Sequence, residues 1–420
     1  MYLQLAKGVK DIPPEEKILK NKIVGTLAEV FELYGFSPLE TPILERYETL
    51  SAKFAAGEAS DALKETFKLQ DQGGRELGLR FDLTVPLARF IAMNPILKMP
   101  FKRYEMGQVF RDGPIKAGRV RQFWQCDIDT IGSTSMLAEA EILQAVARAF
   151  EKLGLDVVIK VNNRKLLSGM LAQVGMVDEE KALIALDKLD KIGKKGVTEE
   201  LLQRGFAAPQ IAAFFELIGN DLAGLKKKVQ NAQALQGIAE LEEVFSLLRG
   251  INIQFEVSLA RGLVYYTGTV YEVFLKNGTF ASSLAGGGRW DDMIGKFMGG
   301  NREIPAVGIA FGLEPIMEVL KSGAGKKSVA QVYIIPINTV EQSLKIAEQL
   351  RQAGVKTDFC LGKKGVSKNL EYASALRIPY VVIIGDEELK LGKVVLRDMG
   401  SGIEQVLTMN EVVKLLTQNR

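Results

Sequence analysis

Two arginine-centred segments carry residue types suited to binding a polyanion beside a small zwitterion. One is FRDGPIKAGRVRQFWQCDID, from Phe110 to Asp129, and the other is ARGLVYYTGTVYE, from Ala260 to Glu272. Arg111 and Arg261 supply planar, permanently charged guanidinium groups, which bind phosphate oxygens in bidentate fashion. Because each arginine adjoins small or aromatic residues in β-rich sequence, the pattern indicates nucleotide activation of an amino acid.

Three polar residues alternate along the second half of the first segment: Gln125, Asp127 and Asp129. Residues two apart in a strand point to the same face. Burying them together is costly unless a ligand or water pairs with them. In a binding pocket, a ligand would supply hydrogen-bond partners for these side chains. The exposed face of an amphipathic strand would show the same alternation.

Each arginine also has a structural interpretation. Arg111 precedes an Asp-Gly-Pro turn, so it could belong to a hairpin with a solvated basic tip formed by Lys116, Arg119 and Arg121. Arg261 could be a salt-bridged residue at the start of a strand. The adjoining Tyr265 and Tyr266 favour a binding wall, because their hydroxyls can hydrogen-bond a ligand while their rings supply apolar surface.

Composition excludes several chemistries. The 420 residues contain no histidine, which rules out Ser-His-Asp triads, Cys-His pairs and most catalytic zinc sites. Lys and Arg total 54 against 51 for Asp and Glu, so the net charge of +3 does not indicate a general nucleic-acid coat, and we expect no DNA partner. Cys126 and Cys360 are too few for a cysteine-rich zinc site or a disulfide framework.

The N-terminus has no apolar signal core, and no run reaches the about 20 apolar residues of a membrane span. We therefore expect a cytoplasmic protein of two or three domains without a membrane partner.

The first 165 residues predict a mixed α/β arrangement with antiparallel strands. Residues 15–34 show helical spacing and stop at Gly35, and the segment that follows contains Pro38 and Pro42 and favours an edge strand. Residues 66–82 predict a hairpin turned at Gln72-Gly73-Gly74, followed by a helix from about Pro86. Two further strands flank a loop from Gly113 to Gly118, and a helix follows at 136–154.

Beyond residue 165 the pattern changes twice. Residues 166–250 are Leu, Ala and Lys rich at helical spacing and predict a helical insertion. Strands resume from 251 to 320, where a Gly286-Gly287-Gly288 run leads into a helix. Residues 321–328 predict a flexible linker, and 329–420 predict a β-α-β-α-β order with a closing strand and helix, typical of a small α/β domain.

Several long segments, in order, resemble histidyl-tRNA synthetases of class II. They are KGVKDIPP, the Pro42 segment, DQGGRELGLRFDLTVPLAR, FRDGPIKAGRVRQFWQ, RGLVYYTG, AGGGRWDD and the C-terminal domain, and together they cover nearly the whole chain. The resemblance implies a fold of class α+β: an antiparallel class II core flanked by helices, with a helical insertion and a C-terminal α/β anticodon-binding domain.

The resemblance also implies roles for the two arginines. Arg111 would hold the α-phosphate of ATP, and the loop after it, with Arg119 and Arg121, would close on ATP and the acceptor end of tRNA. Arg261 would flank the same phosphate from the opposite side. Gly312, in the segment similar to the third class II motif, would lie at the ATP site.

A histidine pocket follows from the same resemblance. Asp82 would accept the α-ammonium group, with Thr84 beside it, and Gln125 and Asp129 would line the pocket strand. Tyr265, Tyr266 and Gly287 complete the expected set, and the glycines around Gly287 would let the backbone approach the substrate. No G-K-[ST] follows these glycines, so a P-loop is excluded.

Four departures from the family pattern stand in the site segments. Val264 occupies the place of an aspartate, Trp290 that of a tyrosine and Val120 that of an aromatic residue. Pro315 occupies the place of the arginine that grips the ATP γ-phosphate, so ATP binding should be weaker or use Arg289, Lys296 or a metal ion instead.

The resemblance implies a histidine–tRNA ligase that uses ATP with Mg²⁺, binds histidine and tRNA(His) and forms a homodimer through the Pro42 segment. No side chain is assigned to the metal. Lys226, Lys227 and Lys228 are candidate tRNA phosphate contacts, although a solvated lysine run is the commoner explanation. Two alternatives stay open: a non-catalytic paralogue such as the regulatory subunit of ATP phosphoribosyltransferase, and an RNA-binding sensor without exchange activity.

Overall fold

The computed structural model describes residues 3–52, 65–115, 120–260, 265–299, 303–321, 325–362 and 365–418. The chain forms two compact units. The first comprises Met1–Lys10 with Ile23–Leu320, and the second comprises Asp11–Lys22 with Lys321–Arg420.

The first unit is built on an eight-stranded sheet. In spatial order its strands are β1 (Ser37–Pro38), β5 (Phe101–Phe110), β6 (Gln122–Ile131), β11 (Ala306–Gly312), β10 (Ala285–Arg289), β9 (Thr269–Leu275), β7 (Val157–Asn163) and β8 (Ile253–Phe255). The pairs at the two edges, β1 with β5 and β7 with β8, are parallel, and the other pairs are antiparallel. The expected antiparallel core is confirmed, and Pro38 lies in an edge strand as predicted.

A small second sheet holds the predicted hairpin. Its strands are β2 (Leu44–Arg46), β3 (Lys68–Gln70) and β4 (Glu76–Leu79), in the order β2-β4-β3. Strand β4 ends at Leu79, before the predicted end near Asp82. The side chain of Asp82 instead accepts a hydrogen bond from the backbone N–H of Val85 at 2.9 Å. This bond lies at the start of α3 (Thr84–Met93), so the helix begins two residues before Pro86.

The remaining helices up to residue 320 are α1 (Pro14–Leu33), α2 (Tyr47–Ala52), α4 (Leu137–Lys152), α5 (Arg164–Gln173), α6 (Glu179–Leu186), α7 (Leu189–Gln203), α8 (Ala208–Ile218), α9 (Leu222–Lys228), α10 (Ala232–Leu247), α11 (Asp292–Phe297) and α12 (Leu313–Leu320). Helix α1 is divided between the units: its residues up to Lys22 belong to the second unit, and those from Ile23 belong to the first. Side chains of Asn163, Asp178, Asp221 and Asn231 accept backbone N–H groups at the starts of α5, α6, α9 and α10. These caps explain why residues 164–247 divide into short helices.

One face of the large sheet packs against α1 and α4. The ring of Phe311 on β11 lies 5.4 Å from the rings of both Phe31 and Phe150. Cys126 and Ile128 on β6 are fully buried on the same side. Residues that alternate with these therefore point to the opposite face.

The second unit has a five-stranded sheet in the order β13 (Thr357–Phe359), β12 (Val332–Pro336), β14 (Tyr380–Ile384), β15 (Lys393–Asp398) and β16 (Glu404–Thr408). The first three strands are parallel and the last two antiparallel. Its helices are α13 (Val340–Gln352), α14 (Val366–Ala375), α15 (Asp386–Lys390) and α16 (Met409–Gln418). The predicted α/β order is present, with α15 and β16 as unpredicted additions.

In the described part of the chain, no helix is both long enough and apolar enough to span a bilayer.

Candidate active site

Strand β6 carries a row of buried polar side chains on the side away from α1 and α4. Gln125, Asp127 and Asp129 stand opposite Gly107, Glu105 and Arg103 of β5. Directly paired residues of antiparallel strands project to the same side. We call the set Arg103, Glu105, Gln125, Asp127 and Asp129 the acidic face. The shared face predicted for the three β6 residues is confirmed.

Buried charges dominate the acidic face. Asp127 and Asp129 are each 3% exposed, and Arg103 is fully buried. Arg103 Nη2 lies 2.8 Å from Asp129 Oδ2, but this oxygen has no hydrogen-bond donor, so the contact is an ion pair without an aligned N–H. The same Nη2 donates to the carbonyl of Leu83 at 3.2 Å.

Arg80 adds a second guanidinium beside Glu105. Its Nη1 donates to Glu105 Oε1 at 2.9 Å and to the carbonyl of Thr41 at 2.8 Å, and its Nε donates to the carbonyl of Gln108. A side chain on Gly107 would come within 2.1 Å of Arg80 Nη2, so the glycine makes room for this arginine. Arg80 is therefore fixed by the protein on several sides.

Acids outnumber bases in this region. Four buried carboxylates, those of Asp82, Glu105, Asp127 and Asp129, accompany the two buried guanidinium groups of Arg80 and Arg103. Burial raises the pKa of Asp129 to about 6, against the attraction of Arg103. Burial also raises the pKa of Asp127 well above its ordinary value; Arg103 opposes this shift, and the neighbouring acids reinforce it. Desolvation thus holds these acids closer to their neutral forms than acids in water.

Glycines and one alanine form the floor beside the acidic face. Gly312, Ala310 and Gly308 on β11 pair with Gln125, Asp127 and Asp129, and Gly286 and Gly288 on β10 pair with Ala310 and Gly308. We call these five small residues the glycine floor. A Cβ on Gly308 would lie 1.9 Å from Asp129 Oδ1, so Asp129 occupies the space that the missing side chain leaves.

The glycine run that leads into a helix forms a strand. Gly286, Gly287 and Gly288 all lie in β10. Gly286 and Gly288 belong to the floor, whereas Gly287 alternates with them and pairs with Tyr271 and Ile309 on the side of α1 and α4. A role for Gly287 in histidine binding stays a proposal.

Tyr266 borders the floor. A Cβ on Gly288 would lie 2.8 Å from Cδ1 of Tyr266, which places the tyrosine ring against the floor. The rings of Tyr265 and Tyr266 are 4.5 Å apart, and their hydroxyl groups are 3.4 Å apart. Both tyrosines precede β9, which begins at Thr269.

Arg111 extends from the end of β5 between two aromatic rings. Its guanidinium carbon lies 4.2 Å from the ring centre of Phe81 and 4.9 Å from that of Phe123, and Nε donates to the carbonyl of Phe81 at 3.4 Å. Its backbone N–H donates to the carbonyl of Arg121. This pairing continues the β5–β6 register, so Arg111 projects from the same side of the sheet as Gln125.

Arg121 is held within the protein. Its Nη1 lies 2.9 Å from Asp112 Oδ1, its Nε donates to the carbonyl of Gly113, and its side chain fills the space above Gly8. These contacts support a role in shaping the loop after β5. A direct role in binding ATP stays a proposal.

Two of the predicted residues, Arg261 and Arg119, lie outside the described residues, as does Val264. The expected convergence of Arg111 and Arg261 on one phosphate therefore remains a prediction. Thr84 begins α3, and Gly312 ends β11 beside α12.

The segment after Gly312 shows how Pro315 is accommodated. Pro315 lies in the first turn of α12, where a missing N–H is tolerated, and its ring packs 3.2 Å from a Cβ position on Gly312. The carboxylate of Glu314 accepts a hydrogen bond from the backbone N–H of Trp124 at 3.1 Å.

Trp290 also replaces an expected tyrosine. Its side chain is a hydrogen-bond partner of Asp129 and lowers the pKa of this acid.

Arg289 is engaged elsewhere. Its Nε and Nη2 lie 2.6 and 2.8 Å from the two carboxylate oxygens of Glu139 on α4, and its Nη1 lies 3.2 Å from Asp291. These contacts raise the pKa of Arg289 above its ordinary value, although burial opposes the shift. Arg289 is thus a poor substitute for the missing γ-phosphate arginine.

The candidate tRNA lysines of α9 are partly neutralised. Lys226 lies 2.8 Å from Glu242, and Lys228 lies 3.4 Å from Glu216. These ion pairs favour the interpretation of the run as a solvated helical surface.

Arg80, Arg103 and Glu105 also belong to the site but were not predicted from the sequence. The alternation of Arg103, Glu105 and Gly107 in FKRYEMGQ is a signal that could have found two of them, because it places them on one face of β5. Arg80 has no such signal, since its position depends on hydrogen bonds between the segment after β4 and strand β5.

The comparisons with known proteins agree with this architecture. A family model described as histidyl-tRNA synthetase matches residues 8–316, and one described as anticodon-binding domain matches 331–419. Histidine–tRNA ligase 1 of Bacillus cereus is 43% identical over 99% of this chain and 100% of its own length.

Solved structures give the same result. The histidyl-tRNA synthetase of Nostoc sp. PCC 7120 is 31% identical, with a TM-score of 0.88 and full coverage of both chains. An ATP phosphoribosyltransferase regulatory subunit/histidyl-tRNA synthetase of Bacillus halodurans is 21% identical, with a TM-score of 0.74 over 89% of this chain and 97% of that one, and shows the fold alone. With a matching catalytic model over most of its length and a relative above 40% identity from end to end, the chain belongs to the histidyl-tRNA synthetase family.

Proposed function

We propose that this protein is a histidine–tRNA ligase, which activates histidine with ATP and transfers the histidyl group to tRNA(His). The main support for this proposal is that buried carboxylates outnumber buried guanidinium groups around β6. Three carboxylate oxygens, one each from Glu105, Asp127 and Asp129, are buried without a hydrogen-bond donor. Such oxygens are costly in a folded protein unless a ligand supplies N–H groups.

Histidine fits this requirement. Its α-ammonium group offers three donors, and its imidazole ring adds one or two. The glycine floor and the ring of Tyr266 form a surface of small residues beside the acids, which suits a small, flat side chain such as an imidazole. An apolar amino acid has the ammonium group but no imidazole donors, so it would leave some of the buried oxygens unpaired.

In the activation step, a carboxylate oxygen of histidine attacks the α-phosphorus of ATP. One P–O bond forms to the amino acid, and the P–O bond to the β-phosphate breaks, which releases pyrophosphate. Arg111 would stabilise charge on the α-phosphate oxygens, because its guanidinium is held in place by the rings of Phe81 and Phe123. We assign Arg261 the opposite side of the same phosphate.

In the transfer step, a hydroxyl of the terminal ribose of tRNA attacks the acyl carbon, and AMP leaves. The second unit, which carries the match to an anticodon-binding domain, would hold the other end of the tRNA. Neither step needs a histidine side chain in the protein.

ATP is a substrate, and Mg²⁺ would accompany it as the ion bound to its phosphates. Within the described ranges, no group of three acidic or thiol side chains is placed to hold a metal ion. In this proposal the protein's own contacts to the phosphates come from the arginine side chains.

We further propose that the protein is a cytoplasmic homodimer. Ile43, Leu44 and Leu69, on or beside the small sheet, are 40%, 48% and 46% exposed, which suits a covered surface. Light scattering coupled to size-exclusion chromatography tests this assembly, and a monomer at micromolar concentration would contradict it.

The decisive test of function is histidine-dependent exchange of pyrophosphate into ATP, followed by charging of tRNA(His). Arg111→Ala should lower exchange about a hundredfold or more, because a phosphate-stabilising cation is lost. Arg148→Ala is the matched control, since Arg148 pairs with Glu151 on the exposed surface of α4. It should keep the activity of the parent protein.

The result also separates the alternatives. Histidine binding without exchange by the parent protein would favour the regulatory paralogue, and tRNA binding without exchange would favour the RNA-binding sensor. Exchange with an amino acid other than histidine would contradict the proposed specificity.

A further inference from the structure

Asp127 lies at the centre of the acidic face, outside the set of residues that the family resemblance assigns to the substrate. It stands between Gln125 and Asp129 along β6. Across the sheet it is paired with Glu105 on β5 and with Ala310 on β11. Neither neighbouring side chain supplies a positive charge, and an ionised glutamate or an alanine supplies no hydrogen-bond donor.

Negative charges therefore outnumber positive charges around Asp127. Arg103 is the cation that acts on it, and Asp129, Asp82 and Glu105 are the acids. The β11 and β10 side contributes only the uncharged glycine floor among the described residues. Arg80 is near, but its Nη1 is already bonded to Glu105.

Asp127 Oδ1 is buried and has no hydrogen-bond donor. A fully ionised carboxylate in this position would be opposed by burial and by three like charges, with one guanidinium to offset them. Burial is the largest cause of its raised pKa, and the acids add to that effect. The same group would ionise more readily once a second cation arrived.

We propose that Asp127 is a carboxyl group of the amino-acid pocket that carries a proton in the free protein and releases it when the ammonium group of the amino acid binds. The proton leaves to solvent, and the positively charged ammonium group takes its place beside the ionised carboxylate. This inference rests on the proposed function, which makes histidine the amino acid.

Two consequences distinguish this proton exchange from simple packing. Histidine affinity should rise with pH while Asp127 is protonated in the free protein, by at most about tenfold per pH unit. Asp127→Asn has nearly the shape of the protonated acid but cannot ionise. The variant should therefore match the parent at low pH and bind histidine more weakly at high pH.

The test is calorimetric titration of the full chain with histidine at pH 6, 7 and 8, in phosphate and in Tris buffer. Because these buffers differ in ionisation enthalpy, the difference in heat gives the number of protons released. The parent should release a substantial fraction of one proton at pH 7. For Asp127→Asn this release should disappear, and its dissociation constant should be within about twofold of the parent value at pH 6 and about tenfold higher at pH 8.

Asp156→Asn is the matched control, because Asp156 is an exposed carboxylate 3.3 Å from Lys276. It should reproduce the parent in both buffers. Titration of free histidine contributes equally to all three proteins, so it cancels in the ratios between them.

Histidine binding by the parent without proton release would overturn the inference, and so would an affinity loss of the same factor at every pH. Neither result would affect the ligase function, which pyrophosphate exchange measures separately. If Asp127→Asn fails to fold, the parent still tests the inference: a release no larger than the protonated fraction of free imidazole, about one quarter at pH 7, would overturn it. A parent that neither binds histidine nor catalyses exchange would overturn both proposals.

Discussion

Nη2 of Arg103 lies 2.8 Å from Oδ2 of Asp129, and both side chains are shielded from water. The pair joins β5 to β6 at a point where the two residues are in direct register. Arg103 is also 3.8 Å from Glu105 Oε2. One guanidinium thus offsets part of the negative charge of two strands.

Arg103→Met should destabilise the first unit by about 3–5 kcal/mol, because it leaves buried carboxylates without their cation. Chemical denaturation at pH 7 measures the loss. The double variant Arg103→Met with Asp129→Asn should recover part of it, since one uncompensated charge is then removed. An equally unstable double variant would show that packing, and not charge, is the cause.

Stability should depend on pH through Asp129. Its pKa is raised to about 6 in the folded protein, above the ordinary 3.8, so the folded state holds its proton more tightly than the unfolded state. This contribution is present below pH 4 and is lost as pH rises through 6. The difference between the two values is equivalent to about 3 kcal/mol.

The measurement compares the unfolding free energy of the parent with that of Asp129→Asn between pH 4 and 7. Relative to the variant, the parent should become less stable as pH increases. A pH-independent difference would show that Asp129 titrates in the folded protein as it does in water.

Gly308→Ala should damage the pocket directly. The added Cβ would lie 1.9 Å from Asp129 Oδ1 and 2.8 Å from the carbonyl oxygen of Ile128, so the strand or the aspartate must move. We expect a loss of stability of about 1–3 kcal/mol and a histidine KM raised at least about tenfold. Denaturation and exchange kinetics measure the two effects.

Gly25→Ala provides the control for that change. Gly25 lies within α1, and a Cβ there meets nothing within 4 Å. Alanine should leave activity unchanged and stabilise the helix by up to about 1 kcal/mol. A histidine KM equally altered in both variants would argue against the proposed contact at Gly308.

Pro315→Arg should lower the KM for ATP. The proline lies in the first turn of α12 beside Gly312, where an arginine would introduce a cation at the predicted nucleotide site. Pro315→Ala is the matched control, because it removes the ring without adding charge. ATP KM values that fall equally in both variants would indicate release of backbone strain rather than phosphate binding.

The sequence predicted the parts of the fold that depend on periodicity. The helix at residues 14–33, the β5–β6 pair and the common face of Gln125, Asp127 and Asp129 follow from spacing alone, and the structure confirms them. Spacing did not predict β7 or the strand character of Gly286–Gly288. Glycines are poor strand formers in isolation, and β10 exists because β9 and β11 hold it on both sides.

Much of the site could not be predicted from the sequence, because it too depends on contacts between distant segments. Asp82, Asp129 and Tyr266 lie around one region because packing brings three separate segments together. Arg80 and Arg103 belong to that region through contacts that no local pattern encodes. For Arg111 the sequence indicated the charge. The two aromatic rings that contact its guanidinium group belong to Phe81 and Phe123, which come near Arg111 only in the folded chain.

The glycine floor limits how this pocket can change. Its surface is main chain apart from the methyl group of Ala310, so Ala310→Gly is the one substitution there that removes atoms. Every replacement at Gly286, Gly288, Gly308 or Gly312 adds atoms. Accommodation of an amino acid bulkier by more than one methyl group, by evolution or by engineering, must therefore come from the opposite walls, at β6 or at Tyr266.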